Sequence, residues 1–315
     1  MKIIELVKNT TKPMLSFEIT PPEKGRGVQE IFQTLDALMP FTPQFVSVTY
    51  HQPHVVYEER DGVIQRVPKR KKPGTVGICA SIKHRYSVEP VPHFICGGFD
   101  RYETEDALID LQYLGIENIL VLRGDPPPGQ KTFIPEKDGH VHASSLVGQI
   151  AAMNLGHYLE PLDGAEPSRF CIGAAAYPEK HFEAPNAEKD LEWLRHKVDQ
   201  GVDFLITQMF FESHYFLDFV SRAREAGITV PIVPGIKPIS SRRQLYDLPG
   251  TFHVNVPNAF LQAMENARSP KEEFDLGAKW MAGLVGELLE ARVPGVHVFT
   301  MGKGAATKAL LKRVF

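Results

Sequence analysis

Cysteine is scarce: Cys79, Cys96 and Cys171 are the three in a chain of 315 residues. They are widely spaced and sit in apolar surroundings. They therefore make neither a disulfide framework nor a zinc pattern, and a reducing compartment is expected. Neither charge sign dominates, and a net charge of −3 gives no global attraction to nucleic acid or to an anionic membrane. No apolar run approaches the roughly 18 residues of a membrane span. The opening "MKIIELVKNTTKP" lacks a long apolar segment and a small-residue cleavage site, so no secretory leader is expected. A cytoplasmic protein follows as the expectation.

What is present is ordinary globular composition, 43% hydrophobic and 23% charged. Short β-rich segments recur at 14–20, 44–50, 91–96, 118–123, 170–177, 203–209, 230–236 and 295–301. Helical spacing links Val28, Ile31, Phe32, Leu35 and Leu38, then Ala107, Leu108, Leu111 and Leu114. It recurs at Leu191, Leu194 and Val198, and at Phe216, Phe219, Val220 and Ala223. This alternation predicts an α/β fold, a single (β/α)8 TIM barrel forming one domain over residues 1–315. Two insertions decorate it. Residues 55–67 read as a hairpin about Asp61-Gly62 after the second strand, and extra helices at 257–268 and 270–292 precede the eighth. The basic run Lys69-Arg70-Lys71-Lys72 beside the hairpin reads as a solvated loop.

In such a barrel, polar residues at C-terminal strand ends are the candidates for chemistry. Strand one ends with Glu18 and Thr20, and strand two offers Thr49 and Tyr50. His93 lies in the third strand, Arg123-Gly124-Asp125 ends the fourth, Tyr177 the fifth and Gln208 the sixth. Gly124 lets backbone approach a ligand, and the prolines after Asp125 stiffen the following loop. No Ser-His-Asp order stands out, and the pairs His51/His54 and His140/His142 have no third metal ligand at a recognisable spacing. The set suits a flat, hydrogen-bonding organic ligand.

With these motifs assembled, the chain resembles the bacterial, catalytic-domain-only methylenetetrahydrofolate reductases. "SFEITPP" is similar to the family's SFEFFPP-type first strand, "PQFVSVTYH" to its second, "VPHFIC" to its third and "ILVLRGDPPPG" to its fourth. "GAAAYPEKHFEA", "DLEWLRHKVDQGVDFLITQMFF" and "IVPGIKPIS" continue the match in order. The resemblance implies a flavoprotein that uses FAD and NADH or NADPH, with NADH favoured, to convert 5,10-methylenetetrahydrofolate to 5-methyltetrahydrofolate. One flavin face would serve both donor and acceptor, giving ping-pong kinetics. It also implies a homo-oligomer whose partners are small molecules rather than nucleic acid or membrane, and a chain without the regulatory domain of eukaryotic relatives.

The resemblance assigns Glu18 as general acid and Asp125 as the acid between flavin and pterin. Thr49, Gln208, Arg242 and Lys303 would join Asp125 in binding substrate. For FAD it points to Tyr50, His93, Arg123, Gly124, Asp125, His142, Ala143, Tyr177, His181, Ala184, Asp190 and Lys197. There is no GxGxxG on the first βα unit, so FAD would not be held in Rossmann fashion. Several positions depart from the enterobacterial pattern. Arg242 stands where that pattern has a phenylalanine, His142 replaces a tyrosine, and Trp193 and His196 replace an asparagine and an arginine. Met301-Gly302-Lys303 replaces Leu-Asn-Arg. Two rival readings remain: a folate- or flavin-binding accessory subunit, and a pterin-dependent methyltransferase barrel. The second would need a cobalamin or thiol partner, and no zinc-thiolate pattern is present.

Overall fold

The chain runs α1 (Ile3–Asn9), β1 (Met14–Ile19), α2 (Gln29–Leu38), β2 (Phe45–Val48), β3 (His54–Arg60), β4 (Val63–Lys69), α3 (Thr75–Tyr86) and β5 (Glu89–Ile95). It continues with α4 (Arg101–Tyr113), β6 (Asn118–Leu122), α5 (Ala143–Met153), β7 (Cys171–Ala176), α6 (Ala187–Asp199), β8 (Phe204–Met209) and α7 (Ser213–Glu225). The last elements are β9 (Ile232–Ile236), α8 (Arg242–Phe252), α9 (Asn258–Glu265), α10 (Pro270–Glu290), β10 (Gly295–Phe299) and α11 (Gly304–Val314). This is a computed structural model, and it describes residues 1–9, 12–126, 130, 132–301 and 304–315.

Eight strands close in the order β1-β10-β9-β8-β7-β6-β5-β2. Each neighbouring pair is parallel. This is the (β/α)8 barrel that the alternation predicts. The hairpin is an antiparallel β3–β4 pair standing apart from the barrel sheet. Its turn residues Asp61 and Gly62 both have positive φ, 54° and 76°, as a two-residue type I′ turn requires. Arg66 Nη2 donates to both carboxylate oxygens of Glu136, at 2.7 and 2.9 Å, tying the hairpin to the loop after β6.

Strand alternation sorts side chains between two cores. On β1, Leu15, Phe17 and Ile19 pack outward with Ile31, Leu35 and Leu310 of the helices. Met14 points inward, where Phe45, Val91, Leu120, Cys171, Phe204, Ile206 and Val233 form a separate apolar floor with Ile3 of α1. Each fully buried side chain of this size contributes about 1.5–3 kcal/mol of transfer free energy. Gly173 on β7 leaves room for the Phe204 ring of β8, which a Cβ there would meet at 2.4 Å.

Helices α3 and α5 stand where periodicity alone gives weak warning, whereas α8 buries Leu245 and Leu248 at helical spacing. Helix α5, "ASSLVGQIAAM", is apolar and small nearly all round, and α8 carries Pro249 inside it. Local caps explain where others start. Asp100 and Glu103 form a reciprocal capping box on α4, and Asn186 accepts from the Lys189 N–H at the start of α6.

Candidate active site

Above the apolar floor the inward positions turn polar. His297 of β10 is fully buried, with Nδ1 2.8 Å from Ser16 Oγ and Nε2 3.2 Å from Ser47 Oγ. Its ring stacks on Phe45 at 5.5 Å between centroids. Burial, and then His93, bring its pKa down to about 3, so it sits there as a neutral spacer. One inward step higher on β1 lies Glu18. The Thr300 N–H and hydroxyl both donate to the Glu18 carbonyl, at 3.2 and 2.6 Å, which fixes the backbone beneath the side chain.

Glu18 is 8% exposed, and its Oε2 lies 3.4 Å from His93 Nε2. Burial pushes its pKa from 4.5 up to about 8, against a smaller opposing pull from Lys237. His93 is driven the other way, to about 3, by burial and then by His51. At neutral pH the pair is therefore a protonated acid beside a neutral imidazole rather than an ion pair. Two nearby buried atoms, Thr49 Oγ1 and His93 Nε2, have no hydrogen-bond partner. Unsatisfied buried polar atoms are costly, and at a barrel mouth they mark places where a ligand can complete the bonding.

A second group of candidates gathers on the rim at β6, β7 and α6. Arg123 makes a two-pronged pair with Glu183, at 2.6 and 2.9 Å, and its guanidinium lies 5.4 Å from the Phe133 ring centroid. Gly124 has φ +88°, and a Cβ there would come within 3.0 Å of Ile95. Tyr177 packs edge-on to His181 at 4.6 Å, and burial raises its hydroxyl to about 12. The His181 N–H donates to Asp190 Oδ2 at 3.0 Å, and Lys180 Nζ donates to the Ala184 carbonyl at 2.5 Å, so the turn after β7 is held from both sides. Lys197 Nζ donates to the Ala175 carbonyl at 2.6 Å; burial lowers it to about 8, with Asp190 acting against that. Asp125 is exposed, with its carbonyl accepting from Gln52 Nε2 at 2.9 Å. His142 is the exposed N-cap of α5 and Ala143 its first residue.

Tyr50 lies across the mouth, its ring 5.2 Å from Phe99. A cavity of about 620 Å³ opens there, lined by Tyr50, His93, Phe94, Phe99, Arg26 and Arg70 among others. Among the described candidate residues it reaches Tyr50 and His93. The β6–β7–α6 group lies instead on the open rim. Gln208 is half-buried at the end of β8, its amide oxygen accepting from the Met209 N–H at 2.9 Å. Arg242 begins α8 and pairs through Nε with Glu273 at 3.1 Å. Lys303 lies outside the described residues.

Three residues of this region escape sequence reasoning. Lys237, immediately after β9, is 4% exposed with Nζ donating to the Pro238 carbonyl at 3.0 Å. Its signal was parity, two positions beyond inward Gly235 and four beyond inward Val233. Glu183 holds Arg123, and nothing in its local pattern announces a partner sixty residues away. Glu179 accepts from the Asn255 N–H at 2.8 Å through one oxygen while the other is buried without a partner. Burial raises it to about 7.

Residues 2–314 match the family model described as methylenetetrahydrofolate reductase. The 5,10-methylenetetrahydrofolate reductase of Salmonella typhimurium is 32% identical over 297 residues, covering 94% of this chain and 88% of that protein. Methylenetetrahydrofolate reductase 2 of Saccharomyces cerevisiae is 29% identical over 323 residues, covering 100% of this chain and 50% of the relative. The chain spans about half the length of the yeast and plant relatives that it matches. Among solved structures, an uncharacterized protein from Clostridium thermocellum, described as binding two copies of 5-methyl-5,6,7,8-tetrahydrofolic acid, superposes with a TM-score of 0.57. It is 13% identical and covers 98% of each chain, a likeness of fold.

Proposed function

Since the chain belongs to the methylenetetrahydrofolate reductase family, we propose that it reduces 5,10-methylenetetrahydrofolate to 5-methyltetrahydrofolate with FAD and a reduced nicotinamide. The observation that carries this reading is Glu18: a buried carboxyl at the barrel mouth that keeps its proton to about pH 8. The closed folate ring needs a proton on N10 before it opens to a 5-iminium cation, and a general acid works best with a pKa near the operating pH.

The residues present fit FAD. His93 Nε2 is a buried polar atom without a hydrogen-bond partner. Gly124 keeps the rim clear of a side chain. Arg123 and Lys197 supply cations suited to phosphate, and Asp190 a carboxylate suited to ribose hydroxyls. Tyr50, Asp125, His142, Ala143, Tyr177, His181 and Ala184 complete the proposed cofactor set. Bound FAD would supply the two-electron carrier that takes hydride from the nicotinamide and passes it to the folate carbon. In this reading Asp125 binds the amino-pyrimidine edge of the pterin and stabilises the iminium by charge. Gln208 hydrogen-bonds the pterin, Thr49 lines the face shared by nicotinamide and folate, and Arg242 and Lys303 face the folate tail or the nicotinamide nucleotide. We take NADH as the donor, and a cytoplasmic homo-oligomer as the working form.

The direct test is purification and stopped flow. The chain is expected to be yellow, or to become so with FAD, and to oxidise NADH faster than NADPH with menadione as acceptor. A colourless preparation that FAD cannot reconstitute would sink the reading and favour an accessory subunit. Asp125→Asn removes a negative charge from beside the proposed flavin position. It is expected to raise the flavin midpoint potential while slowing reoxidation by the folate on the order of 10²-fold. An unchanged potential in a spectroelectrochemical titration counts against the charge argument.

A further inference from the structure

A lysine on the inner wall of a barrel is costly to bury unless charge or dipoles answer it. Lys237 is such a residue, and register explains what it faces. Glu18 of β1 pairs with Phe299 of β10, and Val298 of β10 pairs with Ile236 of β9. One residue further along, Phe299 and Lys237 come level, so Glu18, Phe299 and Lys237 follow one another around the same layer of the mouth. Both charged residues are buried, Glu18 at 8% exposure and Lys237 at 4%.

We propose that Lys237 is a positioning residue for Glu18: its ammonium stabilises the carboxylate that remains once Glu18 has given up its proton. This rests on Glu18 being the acid of the proposed reaction. The step balances as follows. The O–H bond of Glu18 breaks as an N10–H bond forms, and the N10–methylene bond then breaks with its electron pair going to N10. The methylene carbon is left as the iminium on N5, and the negative charge stays on Glu18 in a dry wall. Desolvation makes that anion expensive, and Lys237 is the described cation whose field opposes the penalty. Of the other titratable groups facing Glu18, His93 comes from β5 and His297 from β10 one layer below. Burial holds both neutral. The inward residues Phe45 and Ser47 of β2, and Thr49 just after it, carry no charge.

The test removes the charge and reads the acid itself. The infrared carboxyl band of Glu18, identified by its loss in Glu18→Gln, is titrated in the FAD-loaded wild type, in Lys237→Met and in Lys237→Arg. The wild-type midpoint is expected near the value of about 8 set by burial. Lys237→Met should move it up by about one to three units, and Lys237→Arg should bring it back toward wild type. The single-turnover reoxidation of pre-reduced enzyme by 5,10-methylenetetrahydrofolate should then show its alkaline limb displaced by the same amount, with a lower rate at neutral pH. If Lys237→Met does not fold, Lys237→Gln carries the same test, uncharged but still able to bond the Pro238 carbonyl. An unmoved midpoint and pH limb in an active enzyme overturn the part given to Lys237. So does a variant that changes only the folate KM, because that describes a substrate contact. A wild type that never reoxidises with the folate overturns the reaction itself, and with it the purpose of the pair.

Discussion

Glu18→Gln is expected to lower folate reduction by about 10²–10⁴-fold, the range that a general acid supplies, while FAD is retained and NADH still reduces it. The amide is close to isosteric and still hydrogen-bonds, but it has no proton of the required acidity to give. Separate half-reactions in stopped flow resolve the two steps, and near-wild-type reoxidation by folate would remove Glu18 from its role. In the wild type the same step should fade as pH rises through about 8, where Glu18 ionises. The substitution also has a thermodynamic side. Between 4.5 and about 8 the unfolded chain has released this proton while the folded chain holds it, so stability falls as pH rises. Glu18→Gln lacks that loss, and effects of the buried histidines cancel between the two proteins. The variant's stability relative to wild type should therefore grow across this window, by up to roughly 1.4 kcal/mol per pH unit. Denaturant titrations at several pH values measure it. A gap that shrinks with rising pH would mean that burial does not hold the proton in place.

The second large effect is structural. Gly235 of β9 sits where a Cβ would be 2.1 Å from the Thr207 carbonyl oxygen and 2.6 Å from the Phe299 ring. Its N–H donates to Thr207 Oγ1 at 3.0 Å, so the strand cannot shift away without breaking that bond. Gly235→Ala is expected to destabilise the protein by about 3 kcal/mol, at the upper end for an overpacked core. It should also displace Phe299, which lies between Glu18 and Lys237 in the mouth. Gly286 in α10 has nothing within 4 Å of its would-be Cβ, and Gly286→Ala should instead stabilise by about 0.5–1 kcal/mol. Urea midpoints moving by equal amounts in the two variants would contradict the packing argument.

Most of the barrel was legible because its strands are short, apolar and punctuated. "NILVLR" and "DFLITQM" contain β6 and β8, and Asp61-Gly62 named the hairpin turn outright. Helices α3 and α5 were harder, since in α5 the polar residues are few, Ser144, Ser145 and Gln149, and give only a weak stripe to reveal its period. Helix α1 gave no sign that Ile3 closes the barrel floor, because that burial depends on residues far along the chain. At the candidate site, strand ends and family motifs pointed to Glu18, His93 and Arg123. What they could not give was pairing across the barrel. Glu183 reaches Arg123, and Lys237 reaches the layer of Glu18, only after the strands have closed in register. Lys303 falls outside the described residues, so its part in the site stays with the sequence match.

The apolar floor has a consequence for proton traffic. Met14, Phe45, Phe204 and Ile3 seal the barrel from below, and His297 is clamped between two serine hydroxyls just above them. If Glu18 is the acid of the proposed reaction, the apolar floor leaves the open end as the route by which its proton would be replaced. In that reaction, reloading the acid would share this one doorway with the folate and would fall between product release and the arrival of the next substrate. The proposed alternating, one-substrate-at-a-time cycle would supply such an interval on every turnover.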